Sequence, residues 1–221
     1  MIKGERMKRF LSLFLAATLL LSVAVSFSAC GGRAPKIEEI YDRVVELIES
    51  SYEINDIFYG QGLPYYDREL PVYKEIYSDY TKLGYVEHYN IVSNQAKFRS
   101  ISGIKYAAEQ VYSLALLESS VYPAAFEGVV ISDAITGVHS SDARYLESND
   151  DLYILMEEEN THHPARLVYD YATMKIVKPS NNERVLVSIT AWEEHTPELK
   201  LQTRISLVLQ NGLWMLDSLT V

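Results

Sequence analysis

Two adjacent histidines, His162 and His163, form the densest cluster of metal-ligating side chains together with the glutamates at 157–159. Imidazole nitrogens and carboxylate oxygens both bind Zn²⁺ when several converge on one point. Neighbouring residues of a strand point to opposite faces, so both histidines reach one ion only from a folded loop. Asn160 and Pro164 favour such a loop. The two interpretations are a metal site and a solvated acidic turn.

Asp217 is the acidic residue best placed for acid–base chemistry. It belongs to the last predicted strand, on the face that carries Leu213, Met215 and Leu219. A carboxylate that points into a sheet-lined cavity is a candidate general base. A buried aspartate bonded to backbone groups is the commoner explanation of the same pattern. Asp217 is therefore a candidate catalytic residue with a structural alternative.

Other catalytic signatures are missing from the sequence. There is no Gly-x-Ser-x-Gly motif and no thiol besides Cys30. The segment Gly60-Gln61-Gly62 lacks the third glycine and the preceding strand of a dinucleotide-binding fingerprint. The sequence thus predicts no cofactor, and it favours a protein that is not an enzyme.

Tyrosine is concentrated in one part of the chain. All 17 tyrosines lie between Tyr41 and Tyr171, and the segment Tyr59–Tyr89 contains eight of them. A tyrosine supplies ring area and a hydrogen-bonding tip at small entropic cost, which suits a binding face. The alternative is a set of partly buried rings at the edge of the core. The predicted binding residues are Tyr59, Tyr65, Tyr66, Tyr73, Tyr77 and Tyr80.

The part of the chain that carries these tyrosines begins with helical periodicity. Apolar residues recur at three- and four-residue steps from Ile37 to Ile57, which predicts a helix that ends before Gly60. A short helix is predicted to begin at Pro71 and to run to Tyr80, and an extended stretch follows from Tyr85 to Val92. Two more helices are predicted after it. The first is capped by Ser102 and continues through Tyr112, and the second runs from about Leu116 to Phe126.

The second half of the chain changes to strand periodicity. Apolar and polar residues alternate from Leu199 to Gln210, and Asn211-Gly212 is a strong hairpin signal with a return strand to Thr220. Helices followed by antiparallel strands predict an α+β fold, with N-terminal helices packed on a curved C-terminal antiparallel sheet. The side chains predicted to be buried in this hairpin are Leu201, Ile205, Leu207 and Leu209.

The first 29 residues have the features of an export signal. Four basic residues between Lys3 and Arg9 precede an almost wholly apolar run, Phe10–Ala29, and small residues stand before Cys30. An uncleaved membrane helix is the alternative, because the run of 20 residues is long enough to span a bilayer.

The segment Ser28-Ala29-Cys30-Gly31 resembles the lipobox of bacterial lipoproteins, in which the cysteine is diacylated and becomes the new N-terminus. The resemblance implies a signal peptide at 1–29, a lipidated Cys30 and a short tether at 30–36. It also implies a lipid-anchored position on the outer face of the bacterial cytoplasmic membrane.

The charge of the remaining chain restricts its partners. Without the four basic residues and one acidic residue before Cys30, it keeps 16 basic and 29 acidic residues, a net charge of −13. Such a surface repels nucleic acid and anionic lipid headgroups. We therefore expect the lipid to provide membrane attachment, and we expect no nucleic-acid partner.

The order of helices and strands over residues 37–221, predicted to be a single domain, resembles the NTF2-like (cystatin-like) superfold. The closing hairpin around Asn211-Gly212 is similar to the one with which many such domains end. The superfold includes enzymes, binding modules and scaffolds, so the resemblance implies a fold and no particular activity. A vaguer similarity links the chain to secreted inhibitors of cell-wall DL-endopeptidases.

Together these features predict a non-enzymatic module that binds a cell-envelope protein or a small ligand. One alternative is a small NTF2-like enzyme with Asp217 or a histidine as general base, and another is an inhibitor of a cell-wall hydrolase. An enzyme needs a deep pocket in which an acid or a histidine meets a tyrosine, whereas a binding module needs only an exposed aromatic patch.

Overall fold

The long N-terminal helix is the element around which the other elements pack. The computed structural model describes residues 32–78, 81–133, 137–156 and 163–221, so Cys30 and the predicted signal peptide lie outside it. Helix α1 spans Ile37–Tyr59, two residues longer than predicted, and it ends at Gly60. Its apolar stripe is buried as the periodicity predicts, and it includes Ile40, Val44, Leu47, Ile48 and Ile54.

Short helical segments follow in the middle of the chain. Helix α2 spans Ile101–Ala108. Its N-cap is Ser100, whose side chain accepts a hydrogen bond from the Gly103 N–H. The prediction of Ser102 as the cap is therefore wrong by two residues. A single turn, α3 (Leu114–Leu116), continues into two π-helical turns that end before Gly128, close to the predicted helix.

Within the described ranges, the strands form two four-stranded antiparallel sheets and a separate hairpin. The strands are β1 (Tyr65–Ser78), β2 (Thr81–Val92), β3 (Val129–Asp133), β4 (Gly137–Ser141), β5 (Tyr145–Ser148), β6 (Asp151–Leu155), β7 (Leu167–Val177), β8 (Arg184–Glu193), β9 (Leu201–Gln210) and β10 (Leu213–Leu216).

The first sheet has the order β1-β2-β6-β5 and contradicts one sequence prediction. The segment predicted as a helix from Pro71 lies on β1, where Tyr73 pairs with Val86 and Tyr77 pairs with Lys82 of β2. Aromatic and β-branched residues favour strands, and pairing with β2 outweighs the local helical spacing of the tyrosines. The predicted extended stretch up to Val92 is confirmed as part of β2.

The second sheet has the order β10-β9-β8-β7 and confirms the predicted hairpin. Asn211 and Gly212 have φ values of 53° and 82°, and Leu213 pairs antiparallel with Gln210 across the turn. Strand β10 is shorter than predicted, since it ends at Leu216.

Two of the four side chains predicted to be buried in the hairpin are exposed. Ile205 and Leu207 are buried, whereas Leu201 is 71% exposed and Leu209 is 38% exposed. Alternation in sequence identifies the face of a strand, but the length of strand that is covered depends on what packs over it. Here only the middle of that face of β9 is covered.

The helices and both sheets share one core, which confirms the α+β prediction of helices packed on a C-terminal sheet. Helix α1 contacts β7 and β10 of the second sheet. One hydrophobic cluster contains Val44 of α1, Ile154 of the first sheet and Leu207 of the second. The first sheet was not predicted as a separate layer. Across the described ranges, no helix combines the length and the apolar character needed to cross a membrane.

Candidate functional site

Two of the predicted binding tyrosines, Tyr65 and Tyr66, are exposed at the start of β1. Tyr65 is 50% exposed and Tyr66 is 41% exposed. The bends at Gly60 and Gly62, which has a φ of 78°, carry the chain from the end of α1 to this strand. The hydroxyl of Tyr66 accepts a hydrogen bond from the Asn94 N–H at 3.1 Å, which fixes its ring against the loop after β2.

A small cavity lies beside Tyr65 and has a volume of about 80 Å³. Asn90, in the middle of the first sheet, lies opposite Glu69 of β1 and Ile154 of β6. The described residues that line the cavity are Gln61, Tyr65, Asn90, Ile154, Leu155 and Met156. The cavity therefore lies between the start of β1 and the end of β6.

The side-chain amide of Asn90 is the unusual feature of this cavity. Asn90 is fully buried, yet neither its Nδ2 nor its Oδ1 has a hydrogen-bond partner among the described residues. Leaving one buried polar group unpaired costs about 1–3 kcal/mol, so folded proteins rarely keep such groups. Because Asn90 has no exposed surface, its amide does not face solvent in the cavity.

Tyr59 is partly buried and packs against the core. Burial, with a smaller contribution from nearby Tyr112, raises the pKa of Tyr59 to about 12, so its hydroxyl stays protonated at neutral pH. Its ring stacks edge-on against Phe58, and both residues line a second cavity of about 250 Å³ with Arg144. These contacts support the structural interpretation for Tyr59.

The remaining predicted tyrosines lie beyond what the structure describes. Tyr73 and Tyr77 lie on the backbone of β1, but their side chains are outside the described part, and Tyr80 is outside it entirely. The predicted binding face is therefore defined by Tyr65 and Tyr66. We call these two residues and the adjoining Asn90 cavity the Tyr65 face.

Only one of the two adjacent histidines, His163, lies within the described residues. His162 and the glutamates at 157–159 lie outside the described residues, while Nδ1 of His163 lies 3.1 Å from the carbonyl oxygen of Tyr59. Among the residues that the structure describes, no group of three His, Cys, Asp or Glu side chains is arranged to hold a metal ion. The metal site at His162 and His163 stays a prediction.

Asp217 is held by two side-chain contacts, and its side chain is only 11% exposed. Its Oδ1 accepts a hydrogen bond from the Ser113 hydroxyl at 2.6 Å, and its Oδ2 lies 2.9 Å from Arg184 Nη2. These contacts join the end of β10 to the loop before α3 and to β8. The carboxylate is thus held by two side chains, whereas the structural alternative in the sequence analysis was a carboxylate bonded to backbone groups.

A buried polar network under α1 was not predicted. The Thr220 hydroxyl lies 2.6 Å from the Ser51 hydroxyl, 2.8 Å from Asn55 Nδ2 and 3.0 Å from the Tyr112 hydroxyl. Tyr112 also donates a 2.6 Å hydrogen bond to Asn55 Oδ1. Ser51 falls in the apolar stripe of α1 in the sequence, and no local signal places the chain end beside it.

Another cavity, of about 340 Å³, adjoins this network. Asn55 and Thr220 both line it, and they are hydrogen-bonded to each other. Arg166, at its wall, stacks over the Tyr52 ring at 4.0 Å. Asn55, Thr220 and Arg166 are thus each engaged with another residue that lines the cavity.

No protein-family model matches the chain, and a search of curated proteins found no matching relative.

Proposed function

We propose that the chain is a bacterial lipoprotein, anchored by a lipid on Cys30 to the outer face of the cytoplasmic membrane. Its domain, residues 37–221, is a non-enzymatic module that binds a cell-envelope protein or a small envelope ligand. The observation that carries the binding role is the Tyr65 face, where the exposed rings of Tyr65 and Tyr66 stand beside a small cavity. Exposed tyrosine rings supply the contact area that interface anchors use.

The anchor is supported by the sequence before the domain. The basic residues, the apolar run and Ser28-Ala29-Cys30-Gly31 stand in the order that export and lipidation require. The net charge of −13 after Cys30 does not favour attachment to an anionic membrane surface. A lipid is the attachment that fits both features, since two acyl chains give stable anchoring.

The contacts of Asp217 favour a binding module over the enzyme alternative. A general base needs a carboxylate oxygen that can reach a substrate proton. One Asp217 oxygen is bonded to Ser113 and the other is paired with Arg184, so both already stabilise the fold.

The anchor is tested by replacing the lipid acceptor. We expect Cys30→Ala to remove most of the protein from the membrane fraction, or to leave an uncleaved precursor, because neither diacylation nor cleavage proceeds without the thiol. Fractionation and immunoblotting measure both outcomes, with Ser26→Ala in the apolar run as the control that stays anchored. A wild-type protein found in the cytosol, or a Cys30→Ala protein of mature size still on membranes, contradicts the proposal.

The binding face is tested by removing its two exposed rings. We expect the double variant Tyr65→Ala/Tyr66→Ala to reduce capture of partners from envelope extracts about tenfold or more, since truncated aromatic anchors typically cost 2 kcal/mol or more. The melting temperature should fall by only a few degrees, because both rings are exposed and the variant loses a single surface hydrogen bond, the one from the Asn94 N–H to Tyr66.

The matched control is Tyr41→Ala/Tyr106→Ala, which removes two rings that are 38% and 70% exposed elsewhere on the molecule. It should leave capture unchanged. Equal losses in the two double variants, or a Tyr65/Tyr66 variant that simply unfolds, would assign these tyrosines to the fold and refute the binding face.

A further inference from the structure

We propose that one end of the second sheet rests on the membrane and inserts exposed leucines into the lipid interface. This end consists of the turn between β7 and β8, residues 178–183, and the Asn211-Gly212 turn between β9 and β10. We call it the tether end. The inference goes beyond the binding role, and it rests on the proposed lipid anchor at Cys30.

The two turns lie side by side because the four strands are antiparallel. Strands β7 and β9 end here, and strands β8 and β10 begin here. The Leu209 N–H donates a 2.7 Å hydrogen bond to the carbonyl oxygen of Glu183, which joins the turns. Asn181 Oδ1 accepts hydrogen bonds from the N–H groups of Glu183 and Arg184 at 2.8 and 2.7 Å. The tether end is therefore a fixed surface.

The tether limits the distance between this end and the lipid. Gly32 is half-buried, and it approaches Asn182 so closely that a Cβ on the glycine would lie 2.5 Å from Cγ of Asn182. Two Cα–Cα steps of about 3.8 Å each connect Gly32 to Cys30. Two acyl chains on Cys30 hold that residue at the membrane surface. The turn that Gly32 contacts therefore lies beside the lipid headgroups.

Three leucines are exposed at the tether end. Leu213 is 61% exposed, and Leu209 and Leu114 are 38% and 39% exposed. Leu114 belongs to this end because its N–H donates a 3.0 Å hydrogen bond to Gln210 Oε1. Leu213 pairs with Gln210 on one face of the sheet, and Leu209 lies on the other face. A single exposed leucine is ordinary, but a group of them beside a lipid anchor is typical of a membrane-contact surface.

The charge at the tether end does not oppose this contact, although the chain after Cys30 carries a net charge of −13. Four basic residues are balanced by four acidic residues in the tether, the first turn of α1, the 178–184 segment and the ion pair of Arg184. They are Arg33, Lys36, Lys178 and Arg184, and Glu38, Glu39, Glu183 and Asp217. The lipid also raises the effective concentration of this end at the bilayer, so a weak apolar contact is sufficient.

The contact places the Tyr65 face away from the lipid. Helix α1 begins next to the tether and is about 35 Å long, since each of its 23 residues rises about 1.5 Å. Strand β7 runs back along this helix, because Tyr171 is bonded to Glu49 and Arg166 stacks on Tyr52, one turn further along. The Tyr65 face follows the far end of α1, where it is accessible to partners.

Fluorescence of the lipidated protein in phosphatidylcholine vesicles tests the contact. Cys30 is the only cysteine and is acylated, so Leu213→Cys adds one free thiol for the fluorophore nitrobenzoxadiazole. Nitroxide-labelled lipid should quench the fluorophore at position 213 at least twofold. The same fluorophore on Gln61→Cys, an exposed site beyond the far end of α1, should be unaffected. No quenching at position 213, or equal quenching at both sites, would overturn the proposal.

Replacement of the other two leucines tests the apolar character of the contact. With the fluorophore at position 213, Leu114→Ser/Leu209→Ser should reduce quenching at least twofold. The matched control is Leu199→Ser/Leu201→Ser, which changes two exposed leucines at the opposite end of β9 and should leave quenching unchanged. Equal effects of the two double variants would contradict insertion of the tether end.

Lipid composition and vesicle flotation complete the test. Replacing one third of the phosphatidylcholine with anionic phosphatidylglycerol should change quenching little, because the charges at the tether end balance. Quenching that appears only in the anionic vesicles would assign the contact to charge and overturn apolar insertion. If the protein does not float with the vesicles, the lipid anchor and this inference both fail. If it floats but position 213 is not quenched, this inference alone is wrong and the proposed function stands.

Discussion

Leu207→Asp is expected to unfold the domain at room temperature. Leu207 is fully buried in the centre of the second sheet, where it pairs with Val185 of β8 and Leu216 of β10. The substitution forfeits about 1.5–3 kcal/mol of apolar burial and adds several kcal/mol for a buried carboxylate without a partner. The sum is comparable with the 5–15 kcal/mol that stabilises an ordinary domain. Circular dichroism and a urea titration measure the loss.

Leu201→Asp is the matched control, because it makes the same change on the same strand. Leu201 is 71% exposed, so the free energy of unfolding should fall by no more than about 0.5 kcal/mol. Equal destabilisation by the two substitutions would contradict the placement of β9, and so would an unaffected Leu207→Asp.

Thr220→Val is expected to lower the free energy of unfolding by about 1–3 kcal/mol for each polar group that it leaves unpaired. The Thr220 hydroxyl is the shared partner of Ser51, Asn55 and Tyr112, and the residue is only 2% exposed. Valine keeps the shape of threonine but offers no hydrogen bond, so Asn55 Nδ2 loses its acceptor. Urea unfolding curves give the difference.

Thr203→Val makes the same change at a half-buried site on β9, where no side-chain hydrogen bond joins the threonine to the other described residues. Its effect should be within about 0.5 kcal/mol. If Thr220→Val is no more destabilising than Thr203→Val, the network does not hold the chain end as the distances indicate.

Local signals in the sequence were sufficient for some elements of the fold. The apolar stripe of α1 and the Asn211-Gly212 turn each depend on short-range spacing or on backbone conformation, and both were predicted correctly. The prediction of a helix after Pro71 was wrong, because the spacing of the tyrosines in this segment fits a helix as well as it fits a strand. Only pairing with β2, which the local pattern does not encode, makes it a strand.

The candidate site was predictable only in part, for a similar reason. The exposure of Tyr65 and Tyr66 agrees with the tyrosine density and the flexible glycines before them. Asn90 gave no signal, because an asparagine between Tyr89 and Ile91 is buried or exposed according to which strands pair around it. Those pairings join Asn90 to β1 and to β6, more than sixty residues further along the chain.

Site-specific photocrosslinking in living cells tests the binding role most directly. A benzophenone side chain placed at Tyr65 should give a discrete crosslinked product with envelope material after irradiation. The same probe at Tyr106, which is 70% exposed on α2, should give none. A product of equal yield from both positions, or no product from position 65 in cells that contain the anchored protein, would contradict a binding module that works through the Tyr65 face.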